Sequence, residues 1–196
     1  MADALAEAAG VPSARGPIDL RVHAGDVVLL RGPNGSGKTS LLRALAGLPA
    51  PLRPRSVTVL GEDPATAPAR ELHAHLASQD PRDGLVGLTV RGEFALRRQP
   101  FAAAVEAFAD QPVATLSSGQ ARRVALAVCS ASPRPLLLLD EPAEGLDAAG
   151  RERLLALVRA HARTGAVVAA DHSGTLAALA TATLDLGPVE PGPAPS

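Results

Sequence analysis

An eight-residue segment, Gly32-Pro33-Asn34-Gly35-Ser36-Gly37-Lys38-Thr39, constrains this chain more than any other stretch. It matches the spacing G-x-x-x-x-G-K-[ST], whose glycines let successive backbone N–H groups point inward at phosphate oxygens. Ahead of it, Asp26 to Arg31 reads as a short apolar strand. Behind it, Ser40-Leu41-Leu42-Arg43-Ala44-Leu45-Ala46 reads as a helix stopped by Gly47 and Pro49. A strand, a glycine-rich turn and a helix in that order belong to a parallel α/β sheet, with the helix N-terminus facing an anion. Lys38 is the only lysine, against eighteen arginines. A compact ammonium on a flexible stem reaches between a β- and a γ-phosphate, where a planar guanidinium needs a wider docking surface. Thr39 offers a hydroxyl to Mg²⁺, and Ser40 completes the candidate nucleotide-binding run from Gly32. A glycine-rich turn matching by accident is the alternative; the flanking strand and helix weigh against it.

The 196 residues, 46% of them hydrophobic, suffice for one domain with a sizeable core. With 19 basic and 20 acidic residues, no nucleic-acid or membrane-surface charge signature is present. The apolar runs are too short to cross a bilayer, which predicts no direct membrane insertion. Met1 to Gly10 has no basic n-region, and one cysteine gives no disulfide framework; a reducing cytosol fits best. Cys129, in an apolar stretch, reads as a buried small hydrophobe. There is no Trp or Tyr, and Phe occurs only at 94, 101 and 108, so the core is expected to be aliphatic. Pro188 to Ser196 is predicted to be a disordered tail.

Leu136-Leu137-Leu138-Leu139-Asp140-Glu141-Pro142 has the pattern of a buried parallel strand delivering two acids at its C-terminal edge, where ligands bind. Asp140 is a candidate Mg²⁺ residue; Glu141, one residue on, can polarise an attacking water. Two acids after a strand can also merely cap the next helix. Leu116-Ser117-Ser118-Gly119-Gln120 opens an amphipathic helix and forms a second candidate anion site, although a serine N-cap explains the same residues without function.

Taken together, these motifs resemble the ATP-binding-cassette (ABC) ATPases, whose Leu-Ser-Gly-Gly-Gln signature lies between the phosphate loop and an Asp-Glu-Pro strand. The resemblance runs over nearly the whole chain. Gln79 stands at the Q-loop position, Glu144-Gly145-Leu146-Asp147 resembles the D-loop, and His172, after the strand Ala166–Ala170, resembles the switch histidine. It implies a P-loop NTPase α/β fold and an ATPase that works as a head-to-tail dimer with transmembrane transporter subunits, peripheral to the inner face of the membrane. In that arrangement Glu141 is the base, His172 contacts the γ-phosphate and Gln79 joins Thr39 and Asp140 around Mg²⁺. Ser117, Ser118, Gly119, Gln120 and Asp147 then act in trans on ATP held by the second ATPase subunit, homo- or heterodimeric.

Two departures stand out. Ser118 replaces the second signature glycine, and Gly10 to Gly16 lacks the aromatic residue on which the family stacks adenine, leaving Arg15 as a guanidinium substitute and implying poor base discrimination. The Gln79 to Leu96 region is similar to that of energy-coupling-factor (ECF) ATPases, which implies vitamin or cobalt/nickel uptake. The short chain also resembles the ATPases of haem exporters, an export alternative, and a hydrolysis-poor regulatory cassette is a third reading. Soluble ABC ATPases that remodel DNA or ribosomes normally carry two cassettes or long coiled coils, which 196 residues do not accommodate.

The expected fold is a single domain over 1–187. Strands near 27–31, 57–60, 136–139, 166–170 and 183–186 alternate with helices near 38–46, 120–130, 149–162 and 174–180 as a parallel core. A compact helical insert is expected over about 80–127, with short helices near 91–98 and 101–109. Its three phenylalanines either all form the insert core or leave one of them to contact a membrane partner, with Phe94 the one to test. Asp3 to Pro17 carries little strand signal, so the N-terminal antiparallel part is expected to be reduced. His23, His73, His75 and His161 read as solvated, with no metal site implied.

Overall fold

A computed structural model describes residues 4–13, 16–67 and 73–187. The tail from 188 and the Arg15 position lie outside the described residues.

The core is a five-stranded parallel sheet in the order β5-β6-β7-β3-β8, built from β3 (Val27–Arg31), β5 (Ala74–Ala77), β6 (Leu136–Asp140), β7 (Ala166–Ala170) and β8 (Ala182–Asp185). Both faces are covered, which explains why the central strands read as continuous apolar runs. Val28, Leu30, Leu136, Leu138, Val168 and Ala170 pack on one side; Val27, Leu29, Leu137, Leu139, Val167 and Ala169 pack on the other. The first side is closed by α1 (Lys38–Leu45) and a small antiparallel sheet, the second by residues of α3 (Ser118–Ser130) and α4 (Ala148–His161).

That small sheet has the order β2-β1-β4, from β1 (Ala6–Val11), β2 (Ile18–Val22) and β4 (Ser56–Val59). The small antiparallel part is present, and one expectation about its strands is corrected. Ala6–Val11, in a region with little strand signal, is the central strand, because pairing on both edges overrides alanine's weak β preference. The segment near 57–60 belongs to this sheet and not to the parallel core. Ala74–Ala77, four residues of mixed character, was invisible as a strand and becomes the parallel sheet's edge by pairing with β6.

Three of the helices begin at side-chain caps. Thr89 accepts from Gly92 at the start of α2 (Val90–Leu96), Ser117 and Gln120 form a reciprocal capping box on α3, and Asp147 accepts from Gly150 on α4. Gly47, at φ 73°, ends the α1 turn; a Cβ there would come within 2.2 Å of the Pro64 carbonyl oxygen. The helix expected near 174–180 shrinks to a 3₁₀ turn at Ala177–Leu179. Asp171 accounts for this: its carboxylate takes the Ser173 and Leu176 amides, so the backbone bends around it.

The insert has its own core of Val90, Phe94, Val105, Val113, Leu116, Val124 and Val128, with Phe101 and Phe108 packed against it. Phe94 is 1% exposed and meets Phe101 edge-on at 5.1 Å. It is therefore a core residue, which rules it out as the phenylalanine that meets a partner. The second insert helix is 3₁₀, over Ala103–Phe108. Cys129 is fully buried, as expected, and burial pushes its thiol up to about 12. His75 was expected to be solvated but is 7% exposed; burial first, then Arg97, Arg134 and His161, lower it to about 3.

Candidate functional site

The parallel sheet delivers four sequence-selected segments to its C-terminal edge. The glycine-rich loop follows β3, Gln79 follows β5, Asp140 ends β6 and is followed by Glu141, and His172 follows β7. They converge because every parallel strand points the same way.

The loop closes over Lys38. Its Nζ donates to the carbonyls of Gly32 at 2.8 Å and Pro33 at 2.9 Å, so the ammonium lies across the loop rather than out in solvent. Gly32, at φ 142°, permits this fold-back, since a Cβ there would come within 2.5 Å of Ser36 Oγ. Ser36 Oγ is buried with no hydrogen-bond partner among the described residues, and Gly37 caps α1 without a side-chain bond. The loop thus holds an unanswered hydroxyl and a helix N-terminus beside a cation, a donor set that fits phosphate oxygens. Asn34, Gly35, Gly37, Lys38, Thr39 and Ser40 line a cleft of about 810 Å³ with Glu141 and His172 across from them.

Thr39 Oγ1 donates to Asp140 Oδ2 at 2.8 Å, joining the first turn of α1 to the end of β6. Asp140 is 5% exposed, and burial raises its pKa despite the Thr39 hydroxyl and the nearby Lys38, Arg122 and His172. The surrounding cations do not fully offset the loss of water. A hydroxyl and a carboxylate held together this way fit a hard divalent cation such as Mg²⁺.

Glu141 is in the left-handed region, at φ 49°, an unusual conformation for a residue bearing a side chain. Its amide donates to the Ala170 carbonyl at 2.9 Å, while its carboxylate accepts from the His172 amide at 3.1 Å. Pro142 disfavours the ordinary helical alternative at this position. The turn aims the carboxylate across to β7's end, where His172 Nε2 lies 3.4 Å from it. Gln79 Nε2 donates to Glu144 Oε2 at 3.4 Å.

Ser117 to Gln120 do not line the cleft over Lys38. Ser118 and Gly119 line an adjoining one of about 630 Å³, which shares Thr39, Gln79, Asp140 and Glu144 with it. Asp147 caps α4 and pairs with Arg123 at 3.5 Å. Sequence reasoning missed Arg82 and Arg122 in this region. Arg122 carried a readable signal: a charge three, four and seven residues before buried Ala125, Leu126 and Cys129 lies on the core face of its helix.

Fold and site together define an ATP-binding-cassette ATPase. The ABC transporter family pattern matches residues 16–144, and the chain belongs to that family. Among named relatives, it is 45% identical over 94% of its length to the cytochrome c biogenesis ATP-binding export protein CcmA of Bordetella parapertussis, covering 91% of that protein. It is 43% identical to the CcmA of Maricaulis maris, over 76% of this chain and 73% of that one. In fold it is similar to the ATP-binding cassette MJ0796, solved as a post-hydrolysis dimer with ADP and Pi, at TM-score 0.75 and 22% identity over 92% of this chain and 94% of that one. A second likeness is cbiO1 from Clostridium perfringens, part of the ABC transporter complex cbiONQ, at TM-score 0.69 and 21% identity over 94% and 85%. Relatives named as exporters leave the ECF uptake reading without support.

Proposed function

We propose that this chain is the ATP-hydrolysing subunit of an export-type ABC transporter serving cytochrome c biogenesis. The observation that carries the export reading is the 45% identity to an export ATPase along 94% of the chain. Residues 1–187 form one cassette, with the insert at about 80–127. The subunit works at the cytoplasmic face of the membrane through partner subunits; among the described residues no helix is long and apolar enough to cross.

Within the site, the loop amides from Gly32 to Ser40 and the Lys38 ammonium bind the β- and γ-phosphates of ATP. Thr39, Asp140 and Gln79 hold Mg²⁺, which supplies charge neutralisation at the phosphate oxygens. Glu141 orients the attacking water and accepts its proton, while His172 keeps that carboxylate in position and faces the γ-phosphate. Ser117, Ser118, Gly119 and Gln120 close on ATP held by a second ATPase subunit, and Asp147 links the two sites. Without an aromatic residue in Gly10–Gly16, binding rests on the phosphates, so GTP competes with ATP. Val86 and Leu88, 73% and 90% exposed beside Gln79's segment, form the contact for a membrane subunit.

The test is complementation of a Bordetella strain lacking its own CcmA. Restoration of cytochrome c maturation by the wild-type chain, and its loss with Lys38→Ala, is the expected result. An expressed chain that hydrolyses MgATP yet restores nothing would reject the export role while leaving the ATPase reading intact.

A further inference from the structure

Two arginines outside the nucleotide-binding set tie the segment after β5 to the start of α3. Arg122, on the inward face of α3 and 8% exposed, donates from Nη1 to the Ser78 carbonyl at 3.3 Å and from Nη2 to the Gln79 carbonyl at 2.7 Å. In return Arg82, three residues beyond Gln79, donates from Nη2 to the Leu116 carbonyl at 2.7 Å, immediately before Ser117. The tethers run in opposite directions between the same two segments, so neither can slide past the other without breaking charge-assisted bonds.

Burying a guanidinium is costly unless its donors are answered. Arg122's charge is disfavoured by burial and supported by Glu144, Asp80 and Asp140. Its neighbours on the same helix face, Ala125, Leu126 and Cys129, show that an apolar residue suits that face. The planar fork reaches two consecutive carbonyls, which a lysine point charge cannot span in the same way. Arg82, Arg122, Gln79, Ser118 and Gly119 also wall one cavity with Thr39 and Asp140. The clamp therefore shares one cavity with the candidate Mg²⁺ residues and with Ser118 and Gly119 of the signature segment.

We infer that Arg82 and Arg122 are positioning residues that make the Gln79 segment and the Leu116–Gly119 segment move as one body. Nucleotide engaged by Gln79 in one subunit then sets the posture of the serines that serve the second subunit's ATP. This rests on the roles proposed above for Gln79 and Ser117 to Gly119.

The experiment compares the full-length wild-type chain with Arg82→Ala, Arg122→Ala, the double variant and Arg122→Lys, following MgATP turnover against ATP concentration and MgATP binding by calorimetry. Wild type should turn over cooperatively. Each alanine variant should lower kcat about tenfold and bring the Hill coefficient toward unity, with MgATP affinity within about twofold of wild type. The double variant should fall no further than the worse single variant, because both remove one link. Arg122→Lys, whose ammonium keeps the charge but not the fork that spans both carbonyls, should recover part of the cooperativity. Unchanged kcat and cooperativity in the alanine variants, additive losses, or a non-cooperative wild type would each overturn the clamp. If Arg122→Ala melts early, Arg82→Ala and Arg122→Lys carry the comparison. A wild-type chain that binds but does not hydrolyse MgATP would instead overturn the site assignment, a result distinct from failure of the clamp in an active protein.

Discussion

His172 meets Glu141 twice: its backbone amide donates to one carboxylate oxygen at 3.1 Å, and its Nε2 lies 3.4 Å from the other. One residue thereby fixes both the position and the rotation of the carboxylate that follows β6, across the strand boundary to β7. Glu141→Gln keeps the backbone turn and the bond from the His172 amide but removes the proton acceptor. It should lower kcat by about 10²–10⁴ with MgATP binding retained. His172→Ala leaves the amide bond in place and should cost less, so kcat above that of Glu141→Gln is the expected ranking in a steady-state assay.

Asp140 is buried beside Thr39 with incomplete charge compensation, so its ionised form weakens the nucleotide-free fold. Asp140→Asn retains an acceptor for the Thr39 hydroxyl and should melt no lower than wild type without nucleotide. The rise in melting temperature that MgATP gives the wild type, and EDTA removes, should be absent in the variant. Thermal melts with and without MgATP read both effects.

His75 supplies an acid-sensitive element far from the nucleotide. Its pKa is lowered from 6.5 to about 3 by burial first and then by Arg97, Arg134 and His161, so the unfolded chain binds its proton before the folded chain does. Stability is therefore full above the unfolded value and is lost as pH falls from about 6.5 toward 3, at up to roughly 1.4 kcal/mol per pH unit. His75→Gln should flatten that part of the stability profile measured by denaturant titration. A slope equal to wild type would show that His75 does not carry it.

Phe94 and Leu88 separate core from exposed surface within one short stretch. Phe94→Ala should destabilise the chain by about 3–5 kcal/mol, since it empties the centre of the insert core. Leu88→Asp, at a position 90% exposed, should change stability by less than about 0.5 kcal/mol while weakening co-purification with the membrane subunits. Denaturant melts and pull-down distinguish the two.

What the sequence determined alone is whatever a few adjacent residues can dictate. The turn around Lys38, the cap at Ser117, and the apolar run ending in Asp140 each follow from local steric and hydrogen-bonding rules. Their order along the chain was enough to place the family and most of the candidate site. Tertiary structure decided everything that depends on partners distant in the chain. The strands at Ala6–Val11 and Ala74–Ala77 exist because neighbouring strands satisfy their backbone, not because their own residues favour extension. Helix signal at 174–180 gave way to the Asp171 carboxylate. His75 became buried by packing, and Arg82 and Arg122 found carbonyls 34 to 44 residues away. Hydrogen bonds and burial at such separations are set by which elements the fold brings together, and no local pattern encodes that choice.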